Sequence, residues 1–324
     1  MNSRDNNNRD NNNRGFNNRA NAPKTGRLHG WVNLDKPEGI SSAQAVARVR
    51  RLLGAGKAGH GGTLDPLASG VLPIALGEAT KTVSYAMDSH KAYAFSLAWG
   101  AETSTDDREG TVTRRSDQIP AEAEIRAILG QFTGMIEQTP PVYSAVKIAG
   151  QRAYQLARQS DTPQDLPQLA ARTVEVKALQ LLRTDKQEAE FKVRCGKGVY
   201  VRALARDLGR VLGSAAHIIS LRRLQVGKFQ IEDAISLDLL EKMGQSAAAS
   251  HSVMPVLAVL DDIPALAVTQ EEAQRLRFGQ GLSATDALAD EAGPAIAVLA
   301  GQPVALIQPK QGRWVPMRVF NIDN

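Results

Sequence analysis

Hydrophobic positions along this chain change their spacing several times, and each change marks a different element. The run Gly30-Trp31-Val32-Asn33-Leu34 is short and apolar, which predicts a strand. Ser41 or Ser42 then stands where a helix cap belongs. Val46, Val49, Leu52 and Leu53 follow at helical spacing, and Gly54 stops the pattern. From 55 to 70 the chain is rich in glycine and reads as a loop around Asp65. Residues 92–99 alternate loosely and predict a strand, and 122–130 predict a helix closed by Gly130. Two further strands are predicted over 172–183 and 188–195. In the second, Ala189, Phe191, Val193 and Cys195 alternate with charged residues. Residues 201–212 predict an amphipathic helix that turns Leu204, Leu208, Val211 and Leu212 inward and ends at Gly213.

Strands mixed with helices, without regular βαβ alternation, imply an α+β fold. The stretch 244–255 is small and polar and predicts a boundary near residue 250. Beyond it, short strands over 295–299, 303–307 and 314–320 predict a small, mostly β module over 251–324. At the other end, residues 1–27 set Arg4, Arg9, Arg14 and Arg19 in an asparagine matrix with almost nothing apolar. Such a segment cannot offset its ordering entropy, so a disordered basic tail is expected. It is either an arm that attracts RNA or a tolerated extension.

Composition limits the chemistry. The chain has 324 residues, 43% hydrophobic and 23% charged, enough to bury a core without disulfides or metals. The single cysteine, Cys195, cannot form an internal disulfide, and the histidines at 29, 60, 90, 217 and 251 lack zinc-ligand spacing. A reducing, cytoplasmic setting is expected. No apolar run approaches the roughly 18 residues of a membrane span. The formal net charge of +5 is unevenly spread: residues 1–27 carry +4 and residues 251–324 carry −3. Residues 194–228 hold eight Lys or Arg against one acid, Asp207. That density predicts a surface facing nucleic acid, or else a set of solvated helix faces.

Three segments are candidates for chemistry. Gly59 to Gly70 surrounds one carboxylate, Asp65, with four glycines and Pro66, and includes His60. Glycine permits close approach of backbone to a ligand, and the following proline biases Asp65 to extended geometry. An aspartate there is either a turn-former or a catalyst. Lys197 to Arg202 leads into a helix on which Arg202, Arg206 and Arg210 share one face. Pro140 to Lys147 places two prolines before Tyr143, the pattern of a rigid loop. An unrelated phosphate-binding enzyme using the glycine-rich loop is a rival reading, against which the lack of a G-x-x-x-x-G-K-[ST] run argues.

Taken together, these segments resemble the pseudouridine synthases of the TruB type. His60 to Lys81 is similar to that family's aspartate motif, with Leu64-Asp65-Pro66, Gly70, Pro73, Gly77 and Thr80-Lys81 in register. Lys36-Pro37, Gly39 and Ser41-Ser42 look like its first motif. Pro141, Tyr143-Ser144-Ala145 and Lys147, continued by Gly150, Ala153-Tyr154 and Ala157-Arg158, look like its RNA-gripping thumb. Gly198, Tyr200, Arg202 and Asp207-Leu208-Gly209 resemble its third motif. The stretch from Gln159 to Arg172 is longer and more polar than the family pattern.

The resemblance implies a mixed, largely antiparallel sheet flanked by helices, with a PUA-like C-terminal module. It implies isomerisation of the T-loop uridine of tRNA to pseudouridine, with the base flipped from its stack and no cofactor or metal. Asp65 is then the catalytic carboxylate. Tyr93 stacks on the flipped base, Tyr200 lines the pocket, and His60 helps hold the opened loop. Arg202 pairs with Asp65, and Lys36 completes the substrate-binding set. The expected partner is the T-arm of tRNA, met by a monomer that needs neither membrane nor protein partner. Rival readings are a non-catalytic tRNA binder, which has no need of Asp65, and a guide-RNA-dependent synthase of the dyskerin branch, against which the thumb pattern argues.

Overall fold

The computed structural model describes residues 28–159, 169–244, 246–283 and 293–322. The N-terminal tail and most of the long polar stretch before Arg172 therefore lie outside the described residues. Eleven strands form one sheet, whose long members are β1 (Gly30–Lys36), β2 (Ala58–His60), β3 (Ser69–Leu76), β4 (Lys91–Trp99), β5 (Gly134–Gln138), β6 (Arg172–Thr184), β7 (Glu188–Cys195) and β8 (Ala216–Val226). From one edge the order runs β1, β3, β8, β4, β7, β6, β5, with β2 on the upper part of β3 and the short strand Ile235–Ser236 outside β1. Most pairings are antiparallel; β3 with β8 is parallel.

The strands predicted over 30–34, 92–99, 172–183 and 188–195 are present, the last with Ala189, Phe191, Val193 and Cys195 all buried. Two central strands escape the pattern. In β3, Pro73 lacks a ladder donor and reads against a strand, yet it pairs with Asn33 of β1. In β8, Arg222-Arg223 hides the apolar period, and Arg223 is nonetheless 1% exposed.

Helices cover the face bearing Val32, Leu34, Leu72 and Ile74. The helix Ser42–Leu52 packs Ala45 and Val49 there, and the helix Val201–Val211 packs Leu204 and Leu208. Ser41 caps the first helix: its Oγ accepts from Gln44 N and the Gln44 side chain answers at the Ser41 N–H. Gly54 ends it at φ 61°. Two helical expectations need correction. The helix at 122 stops at Ile128 and passes into a 3₁₀ turn over Leu129–Phe132, so Gly130 does not close it. Val211 is 52% exposed, because the helix meets the sheet along the side that carries arginines as well as leucines.

The opposite face of β1 and β3 carries Trp31, Val71 and Ala75, and the C-terminal segment covers it. Val256, Leu260, Ile296, Leu306 and Phe320 share one apolar cluster with those residues and with Phe229. The module itself is a five-stranded sheet of Ala265–Ala267, Leu282–Ser283, Ala295–Leu299, Gln302–Lys310 and Arg313–Val319, packed on the helix Gln270–Arg277.

Candidate active site

Asp65 lies in the loop between β2 and β3, and that loop is fastened from both sides. Ser42 Oγ accepts from Leu64 N at 2.8 Å and donates to Leu64 O at 2.9 Å. Gly39 N donates to Pro66 O at 2.8 Å. From β8, the Arg223 guanidinium donates to Gly62 O at 3.0 Å, Thr63 O at 3.3 Å and Val71 O at 2.7 Å. Gly70 is needed for that approach, since a Cβ there would stand 2.1 Å from Arg223 O. Leu64, Leu67 and Ala68 are buried beneath. The Asp65 side chain is 36% exposed, between the exposed Thr63 and Pro66.

Lys36 belongs to this fastening. Its Nζ donates to Pro37 O and Ile40 O at 2.8 Å and to Pro66 O at 3.4 Å, and the residue is fully buried. All three donors of the ammonium are therefore engaged. Burial pulls its pKa down to about 8, with the nearby Asp65 carboxylate opposing. Lys36, expected among the substrate-binding residues, is placed beneath the loop with its donors on three backbone carbonyls.

Above the loop, Arg202 Nε meets Asp65 Oδ2 at 2.9 Å. The same guanidinium donates to Thr105 O at 2.6 Å and Tyr143 O at 2.9 Å, and Nη1 lies 3.6 Å from Asp107 Oδ2. Asp107 is buried, and its Oδ1 accepts from Thr105 Oγ1 at 2.5 Å and Glu109 N at 3.0 Å. Arg202 thus stands between one open and one closed carboxylate, its planar fork aimed by backbone carbonyls. The turn 103–110 supplying Thr105 and Asp107 was not found from the sequence. Two adjacent aspartates ahead of Gly110 were the available signal, and they read as ordinary turn formers.

The other expected residues gather around this pair. Tyr93 on β4 stands across from Val193 and Arg223. Burial is the main reason its hydroxyl pKa is raised, and Arg223 hydrogen-bonds to it. Tyr200 precedes the arginine helix, where its N–H donates to Gln138 Oε1 at 2.8 Å and its carbonyl accepts from Gln138 Nε2 at 3.1 Å. Its hydroxyl pKa is also raised, chiefly by burial, and lies against Ser144. His60 ends β2, half-buried, with Nδ1 enclosed and unbonded. Burial and then the positive Arg223 lower its pKa, so the ring is neutral at neutral pH. Among the described residues no group of three or more His, Cys, Asp and Glu is placed to hold a metal ion.

The basic face expected on the helix is only partly a surface: Arg202 and Arg206 are buried, and the Arg210 side chain is 55% exposed. Arg206 is 7% exposed and paired with Asp106 and Asp207, and Arg210 forms a two-pronged pair with the buried Glu102. Arg222 pairs with Asp35. Of the cations over 194–228, Arg202, Arg206 and Arg223 are buried, while Arg194, Lys197, Arg210 and Lys228 are exposed.

Comparisons with known proteins point one way. The model for the TruB family pseudouridylate synthase N-terminal domain matches residues 50–201, and that for the tRNA pseudouridylate synthase B C-terminal domain matches 202–262. The tRNA pseudouridine synthase B of Bradyrhizobium diazoefficiens is 51% identical over 303 residues, covering 91% of this chain and 86% of that protein. The protein of the same name from Rhodospirillum rubrum is 48% identical, covering 91% of this chain and 97% of its own. Among solved structures, an H/ACA ribonucleoprotein bound to a substrate RNA containing 2'-deoxyuridine includes a chain with TM-score 0.67 and 23% identity, covering 92% of this chain and 87% of that one. That likeness is one of fold.

Proposed function

The chain belongs to the TruB family and is a tRNA pseudouridine synthase, and from that premise we propose that it isomerises the T-loop uridine at position 55 of tRNA with Asp65 as the catalytic carboxylate. One observation carries the proposal. Asp65 is the one carboxylate of a loop tied down at Gly62, Thr63, Leu64 and Pro66, and Arg202 holds it at 2.9 Å. The planar guanidinium pairs with the carboxylate and fixes its orientation.

The reaction is an intramolecular transfer that needs no co-reactant. The bond from ribose to uracil nitrogen breaks, the uracil turns, a bond to C5 forms, and the C5 hydrogen leaves as a proton while the nitrogen regains one. A base in a stacked loop has to be flipped out before this chemistry. Tyr93 supplies the stacking face, and Tyr200 and the neutral His60 line the pocket on either side. Asp65 acts at the ribose, as nucleophile or as general base. The enzyme works as a monomer on the T-arm alone, without a guide RNA.

Asp65→Asn tests this. It keeps the shape and removes the charge and basicity, so pseudouridine formation on a T-arm hairpin should be abolished while binding stays within about threefold. Substantial turnover by the variant would remove Asp65 from its role.

A further inference from the structure

One helical turn beyond Arg202, a second arginine grips the same two loops. Arg202 donates to Thr105 O and Tyr143 O. Arg206 donates through Nη1 to Asp106 Oδ2 at 2.9 Å, through Nη2 to Thr139 O at 2.8 Å and through Nε to Asp207 Oδ1 at 2.8 Å. Both side chains are buried. The two guanidiniums therefore form a two-rung ladder that fastens the turn 103–110 and the segment 139–143 to the helix Val201–Val211. Neither segment is a strand of the main sheet, and these contacts add to the bond from Ile218 of β8 in fixing the turn. Asp106 sits at φ 60°, a left-handed conformation that a side chain-bearing residue holds only when its surroundings enforce it. Its N–H donates to Thr103 O, and its carbonyl accepts from Ile218 N of β8, both at 3.1 Å.

We propose that Arg206 is a positioning residue for the isomerisation, fixing the Asp106–Asp107 turn and the 139–143 segment so that Arg202 presents Nε to Asp65. The inference rests on the assignment of Asp65 and Arg202 above. Arg202 takes its aim from carbonyls on both loops, and an error of about 1 Å at a reacting group costs roughly 100-fold in rate. Arginine suits the second rung because its fork reaches three acceptors in different directions at once, which an ammonium on one stem does not.

The charged groups facing Asp106 come mainly from the helix: Arg206, Arg202 and Arg210, with Asp207 opposing them. Asp107 adjoins it in the chain, and β8 contributes the Ile218 N–H. Burial pushes the Asp106 carboxyl up to about 6 against the pull of those arginines. Above that pH it is charged and pairs fully with Arg206. Below it the carboxyl is neutral and the rung weakens, so turnover should fall as pH drops through about 6.

The test uses the full chain and a T-arm hairpin labelled with tritium at uridine C5, which is released as the new bond forms. Arg206→Lys keeps the charge and a fold of near wild-type melting temperature. It should lower kcat about 30-fold with KM within about threefold, the mark of lost transition-state alignment. In an Asp107→Asn background the same change should cost little more, because both act through Arg202. Asp106→Asn keeps an acceptor for Arg206 and removes the titration, so kcat should be a few-fold lower and level across about pH 5.5 to 7, where the wild type declines. A raised KM with unchanged kcat in Arg206→Lys would make Arg206 an RNA contact and overturn the proposal. So would full multiplication of the Arg206 and Asp107 effects, or an unaltered acid limb in Asp106→Asn. An inactive wild type on this hairpin would instead overturn the substrate assignment, and this inference with it.

Discussion

At Lys36 and Arg202, two cations near Asp65 have opposite kinds of work. Lys36 is buried with its three donors on Pro37, Ile40 and Pro66 carbonyls, so it acts on the loop and not on the ligand. Lys36→Met should therefore leave three carbonyls under-bonded and destabilise the fold by about 2 kcal/mol, read as a lower urea midpoint. KM for tRNA should stay near the wild-type value if the variant is assayed while folded; a large rise in KM with unchanged stability would return Lys36 to the substrate-binding set. Arg202 spreads its fork over Asp65, Thr105 and Tyr143. Arg202→Lys retains charge but not the fork, and kcat should fall about 100-fold. Full activity in the lysine variant would mean that charge alone matters. The motif resemblance names Asp65, Arg202, Tyr93, Tyr200 and His60 directly, and the structure pairs the first two at 2.9 Å. Asp107 and Arg223 were not legible: an aspartate in a turn and an arginine in a basic run carry no local mark of burial.

At the scale of elements, two adjacent serines divide two functions. Ser41 caps the first helix, whereas Ser42 Oγ reaches the far loop and bonds both to Leu64 N and to Leu64 O. Ser41→Ala should cost about 1 kcal/mol of stability and leave kcat unchanged. Ser42→Ala removes both bonds to the catalytic loop and leaves Leu64 unsatisfied, so kcat should drop about tenfold in a folded protein. Equal effects of the two alanines on kcat would mean that the cap and the clamp are one unit. The sequence pattern placed the cap at Ser41 or Ser42 without choosing, because both suit an N-cap. Strand β7 was legible from its strict alternation. Strands β3 and β8 were not, because Pro73 and the Arg222-Arg223 pair break the apolar period within the sheet's own centre.

For the whole molecule, a shared apolar cluster crosses the boundary expected near residue 250, and the C-terminal module has a further cluster of its own. Val253-Met254 pairs with β1, and Val256, Leu260, Ile296, Leu306 and Phe320 bury Trp31 and Phe229. Lys81 Nζ donates to Val319 O at 2.6 Å, and Asn321 N donates to Glu78 Oε2 at 2.8 Å. Ending the chain after Met243 should therefore uncover one face of β1 and β3 and cost about 3 kcal/mol or more, seen as a lowered melting temperature and aggregation. A truncated protein that melts with the full chain would show the module to be a passive appendage. The charge argument changes for the same reason. Arg202, Arg206 and Arg223 are interior, and Arg210 and Arg222 are paired, so net charge over 194–228 does not rank that segment as the RNA surface.

The sequence by itself determined the family, the α+β class, the aspartate and its arginine, and the order of most elements. Each of these is written in local spacing: a motif, an alternation, a cap, a glycine stop. Only the tertiary structure decided which charges face inward, that Lys36 and Arg206 brace loops while Asp65 faces out, and that the C-terminal sheet completes the core behind β1. The physical reason is that ion pairing and burial depend on partners far apart in the chain. Arg206 meets Asp106 across 100 positions and Arg223 meets Gly62 across 161, and no window of neighbouring residues records such a meeting.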